Sequence, residues 1–347
     1  MKPGSDYISL TVHGVRHLLP DFCLVSFEKN HHIKYHPGQY LTLVFKDEHA
    51  EIRRSYSIVS VPGIDEMLTI GVKRKPNGIV SRILVDHTAA GDQLLTIGAA
   101  GMFVLPPEES KINQLVFFAA GSGITPIYSL IRAALLRFPE TKIKLLYSNR
   151  SLGSTAFHSE LLTLDSDFPQ VELVLFFSDA ADISGSRLNR EQLLKLLRHG
   201  LEEPAESNLF YICGPESYMF RITTILQEQG IPADQIRKEN FVIPLPSSVT
   251  PEPPDKNSHI VEIIRSNSRY RVPVHFPDSI LKAARKEGIV LPYSCETGRC
   301  GNCVAHCIKG GIWHSNNEVL TDADLLKGLV LTCTGHPVFE DAIIKVD

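Results

Sequence analysis

Apolar and polar side chains alternate along short runs in the first hundred residues of this chain. The alternation is clearest at residues 7–12, 40–45 and 68–72. A period of two residues is the pattern of a strand with one buried face. Turn residues such as Pro37-Gly38 separate the runs. The pattern predicts a turn-rich antiparallel β-barrel over residues 1–108, with one helix at residues 79–85.

From about residue 110 the pattern changes to short apolar runs that alternate with amphipathic segments. The apolar runs are residues 115–119, 143–147, 171–176 and 209–212. The amphipathic segments are residues 127–137, 157–164, 190–197 and 218–229. Buried strands separated by helices belong to a parallel sheet that is covered on both faces. The sequence therefore predicts a doubly wound α/β domain over residues 109–243, with ligands at the carboxyl ends of its strands.

A proline-rich stretch at residues 244–258 follows, with five prolines among serines and charged residues. This composition predicts an extended, semi-rigid linker. Residues 259–347 then begin with a strand-like run at 260–264, continue with a helical segment at 280–287 and contain a cysteine-rich loop. These features predict a third, α+β domain.

Four cysteines in the last domain have the spacing of an iron–sulfur ligand set. They are Cys295, Cys300, Cys303 and Cys333. C-x4-C-x2-C with a distant fourth cysteine is the plant-type [2Fe–2S] pattern. A structural zinc site is the alternative, but such sites usually have paired C-x2-C knuckles, and Cys333 has no cysteine two or three residues away. The spacing therefore favours a [2Fe–2S] cluster, and Cys307 is assigned to packing.

Composition limits the classes of partner. The formal net charge of −4 gives no broad basic field, so neither nucleic acid nor an anionic membrane is expected as a partner. The first 15 residues lack the pattern of a signal peptide, and no apolar run approaches the roughly 18 residues that span a bilayer. Seven cysteines, four of them between Cys295 and Cys307, suit metal binding in a reducing compartment. We therefore expect a cytoplasmic protein.

One strand of the predicted barrel has the chemistry of a flavin site. Arg54, Tyr56 and Ser57 lie in the run Arg-Arg-Ser-Tyr-Ser-Ile at residues 53–58. The run resembles the R-x-Y-S flavin signature of the ferredoxin–NADP reductase superfamily. By that resemblance Arg54 binds the pyrophosphate through its planar guanidinium, Tyr56 stacks on the isoalloxazine, and Ser57 makes a hydrogen bond near the flavin N5.

A second flavin-binding element is predicted at the turn before the helix of the barrel. Gly78 leads into a helical segment that contains Val80 and Ser81. Free N–H groups at the start of a helix favour a phosphate, and in the same superfamily this turn binds the FAD pyrophosphate. The run from Ser57 to Ser60 resembles the FAD branch of the superfamily, so we expect FAD rather than FMN.

A glycine loop follows the first strand of the predicted α/β domain. Its candidate binding residues are Gly121, Gly123, Thr125 and Pro126. Glycines allow a pyrophosphate to approach the backbone, and proline suits the first turn of a helix. The loop departs from G-x-G-x-x-G and matches the G-x-G-x-x-P version that is typical of the reductase superfamily. It therefore predicts a pyridine-nucleotide site.

Further nucleotide contacts are expected at the ends of later strands. Asn149 and Arg150 end the second strand, where a conventional NAD site has an acidic residue for the ribose. Ser186 and Arg187 stand where NADP-using members of the superfamily carry a Ser-Arg pair. Two arginines without a nearby acid favour NADPH, with NADH as the alternative.

The resemblance also implies residues beside the flavin. Cys213, Gly214 and Pro215 resemble the C-G-P motif whose cysteine faces the nicotinamide, although simple packing is the alternative for a buried cysteine. Phe241 is expected to cover the second face of the flavin, and Glu239 to assist proton movement. The candidate catalytic residues are Ser57, Cys213 and Glu239.

The order of flavin barrel, nucleotide domain and C-terminal ferredoxin resembles the reductase components of multicomponent oxygenases, especially the phenylacetyl-CoA epoxidase type. The resemblance implies a β-grasp third domain and electron transfer from NADPH through FAD to the cluster and on to an oxygenase component. A hybrid-cluster protein or a soluble carrier is an alternative acceptor. A redox sensor without turnover and a zinc-bearing flavoreductase are the other hypotheses.

Overall fold

The computed structural model describes residues 7–46, 51–180, 187–201, 207–241, 251–265 and 268–346. The chain divides into two compact units, Met1–Phe241 and Val242–Asp347. No helix in the described ranges is both long and apolar enough to cross a membrane.

The first unit begins with an antiparallel six-stranded sheet. Its strands are β1 (Ile8–Leu19), β2 (Phe22–Phe27), β3 (Tyr40–Lys46), β4 (Glu51–Ser57), β5 (Thr69–Lys73) and β6 (Gln93–Ala100). The order is β4-β3-β6-β1-β2-β5, and an antiparallel bridge between Ile58 and Ile70 joins its two edges. This bridge brings the two edge strands together, as the predicted barrel requires.

The predicted helix of the barrel is present, but it changes from α-helical to π-helical geometry. Helix α1 (Ile79–Arg82) continues as a single π-helical turn, Ile83–His87. Val80 and Leu84 are buried in the barrel core. This segment therefore covers one end of the barrel with the apolar face that its sequence spacing indicates.

The second part of this unit is a five-stranded parallel sheet. Its strands are β7 (Gln114–Ala120), β8 (Lys142–Asn149), β9 (Val171–Phe177), β10 (Asn208–Cys213) and β11 (Ile236–Glu239). The order is β11-β10-β7-β8-β9, with every pairing parallel. The predicted doubly wound domain is confirmed. Strand β11 is not predicted by the sequence pattern, because Ile236 is its only apolar residue.

Helices cover both faces of this sheet. They are α2 (Ile124–Arg137), α3 (His158–Asp167), α4 (Arg190–His199) and α5 (Glu216–Glu228). Barrel residues Phe22 and Leu24 share one hydrophobic core with Ile127 and Leu130 of α2. The Arg132 guanidinium also donates two hydrogen bonds, of 2.7 and 2.9 Å, to the Asp65 carboxylate of the barrel. A shared apolar core explains why barrel and parallel sheet form one unit.

The second unit is a mixed five-stranded sheet with helices. Its elements are β12 (His259–Arg265), β13 (Ser268–Val274), α6 (Ile280–Lys286), β14 (Val304–His314), α7 (Asp322–Leu326), β15 (Leu329–Leu331) and β16 (Gly335–Val346). The order is β13-β12-β16-β14-β15, and β12 and β16 are parallel. Ile280 and Leu281 of α6 are buried. The arrangement confirms the predicted β-grasp class.

The end of the predicted linker is attached to the second unit. Asp255 Oδ2 accepts the Phe339 backbone N–H at 2.7 Å and lies 2.6 Å from His259 Nε2. Hydrogen bonds from Asn257, His259 and Phe339 lower the pKa of Asp255 to about 2. Residues 244–250 of the predicted linker lie outside the described residues. The predicted domain boundaries at 108, 243 and 258 stay predictions.

We predict that Gly123→Ala destabilises the first unit. A Cβ at position 123 would lie 2.1 Å from the backbone oxygen of Cys213, far inside contact distance. Because backbone must then shift, we expect a loss of about 1–3 kcal/mol. Urea unfolding followed by far-UV circular dichroism measures it. Gly153→Ala is the control, since a Cβ there meets no atom within 4 Å; an equal loss in both variants would contradict the packing argument.

Candidate cofactor sites

A cavity of about 330 Å³ opens on the barrel beside the parallel sheet. It brings together eight residues of the predicted flavin and nucleotide sites. They are Arg54, Tyr56, Ser57, Gly78, Val80, Ser81, Thr125 and Phe241. Lys73, Lys75 and Asn77 line the same cavity and were missed by the sequence analysis. A volume of this size, with two lysines and an arginine, suits part of an anionic cofactor.

Strand β4 and the turn before α1 form facing walls of this cavity. Arg54 is exposed, whereas the Tyr56 ring is largely buried, and this burial raises the pKa of its phenol. On the opposite wall, Ser81 Oγ accepts the Lys75 backbone N–H at 3.1 Å and donates to the Gly78 carbonyl at 3.4 Å. Gly78 has no room for a side chain, because a Cβ would lie 2.5 Å from Ser81 Oγ. The Ser81 side chain thus stabilises the turn through its hydrogen bonds with Lys75 and Gly78.

A buried carboxyl group lies behind the flavin strand. The Ser57 hydroxyl donates a 3.2 Å hydrogen bond to Glu239 Oε2, and only 9% of Glu239 is exposed. Burial raises the pKa of Glu239 to about 8, and the Ser57 hydrogen bond offsets part of this shift. Two predicted catalytic residues that are far apart in sequence are therefore in direct contact, with a carboxyl group that can exchange a proton near neutral pH.

The third predicted catalytic residue, Cys213, lies beside Glu239. The two residues are partners in the register of the parallel strands β10 and β11. Cys213 is fully buried, and burial raises the pKa of its thiol, to which the Glu239 charge adds. Cys213 therefore has the character of a neutral thiol and not of a reactive thiolate.

The predicted nucleotide loop lies at the carboxyl ends of adjacent strands β7 and β10. Gly121 has φ of +55°, and Gly121–Gly123 form a short 3-10 turn that leads into α2 with Thr125 and Pro126 in its first turn. Gly214 contacts Ala120, where a Cβ would lie 2.9 Å from the Ala120 side chain. Pro215 directly precedes α5. The predicted glycine and C-G-P motifs therefore face one another across two neighbouring strands.

The flavin cavity and the nucleotide loop touch each other. A Cβ on Gly71 of β5 would lie only 2.5 Å from Thr125 Cγ2. Ser122 and Thr125 of the nucleotide loop line the flavin cavity itself. The predicted nucleotide loop is therefore adjacent to the predicted flavin strand.

The predicted coenzyme-selecting residues are only partly brought together. Asn149 is 9% exposed, and its Nδ2 has no hydrogen-bond partner among the described residues. Arg150 and Arg187 are exposed, and Ser186 lies outside the described residues. The Asp179 backbone N–H donates to the Arg150 carbonyl at 3.0 Å. The two backbones are therefore adjacent at the ends of β8 and β9, and the preference for NADPH that the two arginines indicate stays a prediction.

The four predicted cluster cysteines lie in the second unit as two pairs. Cys300 hydrogen-bonds Cys295 and lowers its pKa, and the backbone N–H groups of Thr297 and Arg299 act in the same direction. Cys303 and Cys333 form the second pair, and both are buried. The Thr297 N–H lies 3.5 Å from Cys295 Sγ. Two cysteine pairs with backbone N–H donors fit a two-iron cluster with two thiolates on each iron.

The arrangement of the cysteines bears on the alternative of a structural zinc site. A mononuclear structural zinc needs four ligands at about 2.0–2.3 Å around one point. Cys307 lies outside both pairs, in β14, where its thiol donates to the Lys309 carbonyl at 3.3 Å. The paired donor set therefore favours the cluster over zinc.

Two glycines and the segment around Asn316 determine the conformation of the cysteine loop. Gly298 and Gly301 have φ of +74° and +73°, values that suit glycine. A Cβ on Gly298 would lie 2.4 Å from the Asn316 carbonyl oxygen. Asn316 Nδ2 in turn donates to the Thr297 carbonyl at 2.7 Å. The loop conformation thus depends on a segment that is distant in sequence.

Three family models match the chain in the order of its parts. The oxidoreductase FAD-binding domain matches residues 12–105, the oxidoreductase NAD-binding domain residues 117–224, and the 2Fe-2S iron–sulfur cluster binding domain residues 263–338. These ranges contain the flavin strand, the nucleotide loop and the four cysteines. The protein is therefore an NAD(P)H-dependent oxidoreductase that uses FAD and a [2Fe–2S] cluster.

Similarity to known proteins extends over nearly the whole chain. It is 30% identical to a 1,2-phenylacetyl-CoA epoxidase subunit from Escherichia coli (strain K12), with 98% of this chain and 97% of the relative covered. It is 28% identical to the ferredoxin reductase component of 3-ketosteroid-9-alpha-monooxygenase from Rhodococcus rhodochrous, with 99% and 97% covered. The chain belongs to the ferredoxin–NADP reductase superfamily, in the group with a C-terminal plant-type [2Fe–2S] domain.

A solved structure shares the fold. An intact type IV self-sufficient cytochrome P450 monooxygenase matches with a TM-score of 0.72 at 22% identity. The match covers 97% of this chain and 41% of that one. At this identity the match shows the fold alone.

We predict that Glu239 makes stability depend on pH. Its pKa in the folded protein, about 8, lies above the ordinary value of 4.5. The folded state therefore retains a proton that the unfolded state releases, and this contribution, complete below about pH 4.5, is lost as pH rises through 8. The slope contributed by Glu239 is at most about 1.4 kcal/mol per pH unit.

Urea unfolding at several pH values between about 5 and 8 tests this pH dependence of stability. The range lies between the ordinary pKa of a glutamate and the raised pKa of Glu239. We expect Glu239→Gln to remove part of the fall in stability seen for the wild type. Glu108→Gln, at an exposed carboxylate, should leave the pH dependence unchanged. Parallel pH curves for wild type and Glu239→Gln would contradict the assignment.

Proposed function

We propose that this protein takes hydride from NADPH in the cavity between barrel and parallel sheet and passes single electrons through its cluster to an oxygenase component. The observation that carries the proposal is the convergence of Arg54, Tyr56 and Ser57 with Thr125 of the nucleotide loop in one cavity. When bound there, a flavin accepts a two-electron hydride and gives up electrons singly to the cluster. The protein then converts a two-electron donor into a one-electron donor.

The lining residues have distinct proposed roles. Arg54 binds the FAD pyrophosphate, and Lys75 lies close enough to the Gly78 turn to add positive charge there. Tyr56 packs on one face of the flavin ring. Phe241 is 44% exposed at the same cavity, and it covers the other face. Because the Phe241 ring is partly exposed, it can move aside when the nicotinamide binds against the flavin.

We propose that Ser57 and Glu239 hold a proton close to the flavin N5. The Ser57 hydroxyl already donates to Glu239, so a proton on the serine can be exchanged with a carboxyl group whose pKa of about 8 lies near neutral pH. Cys213 is fully buried beside Glu239 in the strand register, as a neutral, packed thiol. In this proposal it packs behind the nicotinamide site and does not act as a nucleophile.

An oxygenase component is the acceptor we propose. The two relatives above are a subunit of an epoxidase and the reductase component of a monooxygenase, and both match this chain over almost their whole length. A hybrid-cluster protein, a soluble carrier and a sensor role remain the alternatives. The sensor requires no turnover, and the contact between flavin cavity and nucleotide loop favours a catalyst instead.

We predict that Cys300→Ser separates the two halves of the reaction. Loss of one cluster ligand should remove the [2Fe–2S] absorbance, while NADPH still bleaches the flavin in anaerobic stopped-flow mixing. Reduction of cytochrome c, a one-electron protein acceptor, should fall about tenfold or more, a drop equivalent to about 1.4 kcal/mol in barrier.

Cys307→Ser is the matched control, because Cys307 lies in neither cysteine pair. It should keep cluster absorbance and cytochrome c reduction. Unchanged cytochrome c reduction in Cys300→Ser would show that electrons do not leave through the cluster. If wild-type flavin and cluster fail to bleach with either NADPH or NADH, the reductase proposal itself fails.

The coenzyme preference is proposed to depend on the edge formed by Arg150 and Asp179. Arg150, with Arg187, offers positive charge to a 2′-phosphate. The Asp179 backbone N–H donates to the Arg150 carbonyl, and we propose that the Asp179 carboxylate adds a negative charge close to the same position. The arginines favour NADPH, and Asp179 limits how strongly NADH is excluded.

We predict that removing the arginines and removing the Asp179 charge have opposite effects on KM for NADPH. Arg150→Ala with Arg187→Ala should raise KM for NADPH about tenfold and leave KM for NADH nearly unchanged, because one lost charge-assisted hydrogen bond is worth about 1.5–3 kcal/mol. Asp179→Asn should lower KM for NADPH about two- to fivefold. Steady-state kinetics with both coenzymes measures this, and Arg137→Ala, at the far end of α2, is the control. Equal effects on NADPH and NADH would refute the assignment.

A further inference from the structure

An arginine in the cysteine loop is almost entirely enclosed. Arg299 lies between Gly298 and Cys300, and only 10% of its side chain is exposed. Its backbone N–H points to Cys295 Sγ and lowers the pKa of that thiol. Arginine keeps its positive charge under all ordinary conditions. A permanent, poorly solvated cation is therefore built into the loop that holds the cluster.

Glu318 is an ion-pair partner of this arginine. Arg299 Nη2 lies 2.6 Å from Glu318 Oε1, and 37% of the Glu318 side chain is exposed. The Glu318 backbone N–H also donates to the Gly298 carbonyl at 3.0 Å. Glu318 is therefore fixed to the cysteine loop through both its backbone and its carboxylate.

The segment 315–318 holds Glu318 in this place. The Thr334 hydroxyl donates to the Asn316 carbonyl at 2.8 Å, and the Ser315 N–H donates to the Thr334 carbonyl at 3.0 Å. Thr334 directly follows the ligand Cys333. The segment thus bridges the Cys295–Cys303 loop and the turn that carries the fourth cysteine, so the position of Glu318 is tied to both cysteine pairs.

A fixed charge near an iron–sulfur cluster affects the reduction of that cluster. The cluster takes up one electron from the reduced flavin and no proton, so its charge becomes more negative by one unit. A nearby cation stabilises the reduced state, and a carboxylate that neutralises this cation removes part of the effect. Because Arg299 is nearly buried, water and salt screen it much less than an exposed side chain.

We propose that the Arg299–Glu318 ion pair sets the reduction potential of the [2Fe–2S] cluster, with Glu318 as the residue that offsets the arginine charge. Neither residue is a cluster ligand, so both act as positioning and charge-setting residues. The consequence for function is the driving force for transfer from flavin to cluster and from cluster to acceptor. A lower potential favours delivery to the acceptor, and a higher one favours filling of the cluster.

A second ion pair, between Arg285 of α6 and Glu296 of the cysteine loop, provides a comparison. Arg285 Nη2 and Glu296 Oε1 are 3.1 Å apart, with 46% and 36% of their side chains exposed. Glu296 is adjacent in sequence to the ligand Cys295, just as Arg299 is adjacent to Cys300. The carboxylates of the two pairs are similarly exposed, whereas Arg285 is much more exposed than Arg299.

The test is a spectroelectrochemical titration of the cluster in the intact, cofactor-loaded protein. We expect Glu318→Gln to shift the midpoint potential to more positive values, because this carboxylate then no longer offsets the Arg299 charge. Arg299→Gln should shift it to more negative values, and Arg299→Lys should stay closer to the wild type than Arg299→Gln. Glu296→Gln should give a smaller shift than Glu318→Gln. Visible circular dichroism and iron content confirm that each variant holds the cluster.

The dependence of the potential shifts on ionic strength distinguishes the nearly buried ion pair from the exposed one. Raising ionic strength should reduce the shift of Glu296→Gln and leave most of the shift of Glu318→Gln. Equal shifts in these two variants, or no shift in Glu318→Gln, would overturn the proposal. If Arg299→Gln loses the cluster, the comparison of Arg299→Lys, Glu318→Gln and Glu296→Gln still decides between the outcomes.

Discussion

The close approach of two backbones at Gly123 and Cys213 is the constraint on which the first unit depends. A side-chain carbon at Gly123 would overlap the Cys213 carbonyl, so the loop after β7 can lie against the end of β10 only if residue 123 is glycine. Gly71 allows the barrel to approach Thr125 in the same way. These two contacts bring the flavin strand, the nucleotide loop and the Cys213–Glu239 register pair together. The catalytic cavity therefore exists because the chain omits two side chains.

This close packing also controls the chemistry of the polar groups behind the cavity. Glu239 has little access to water, and the same lack of water that raises its pKa makes its hydrogen bond with Ser57 significant. Cys213 is kept as a neutral thiol by the same surroundings. A site open to water would leave the carboxyl group ionised at neutral pH and unable to hold a proton for exchange.

Sequence periodicity was sufficient for the architecture but not for every site residue. Alternation and buried runs predicted the barrel, the parallel strands and the third unit, and the cysteine spacing predicted the cluster ligands. Strand β11 was missed because an edge strand with one apolar residue has no periodic signal, although Glu239 at its end was identified by resemblance. The hydrogen bond between the backbones of Asp179 and Arg150 arises from the pairing of β8 with β9, which local sequence does not encode. Lys75 was missed because its place depends on the Gly78 turn.

The second unit depends on the same kind of long-range contact. The cysteine spacing supplies the ligands, but the left-handed backbone at Gly298 and the carbonyl of Asn316 that covers it give the loop its shape. The segment that supplies this carbonyl also supplies Glu318, so the elements that shape the loop and those that balance its charge are the same. A change in this segment would therefore alter loop geometry and cluster energetics together, whereas a change in the more exposed Arg285–Glu296 pair should affect cluster energetics less.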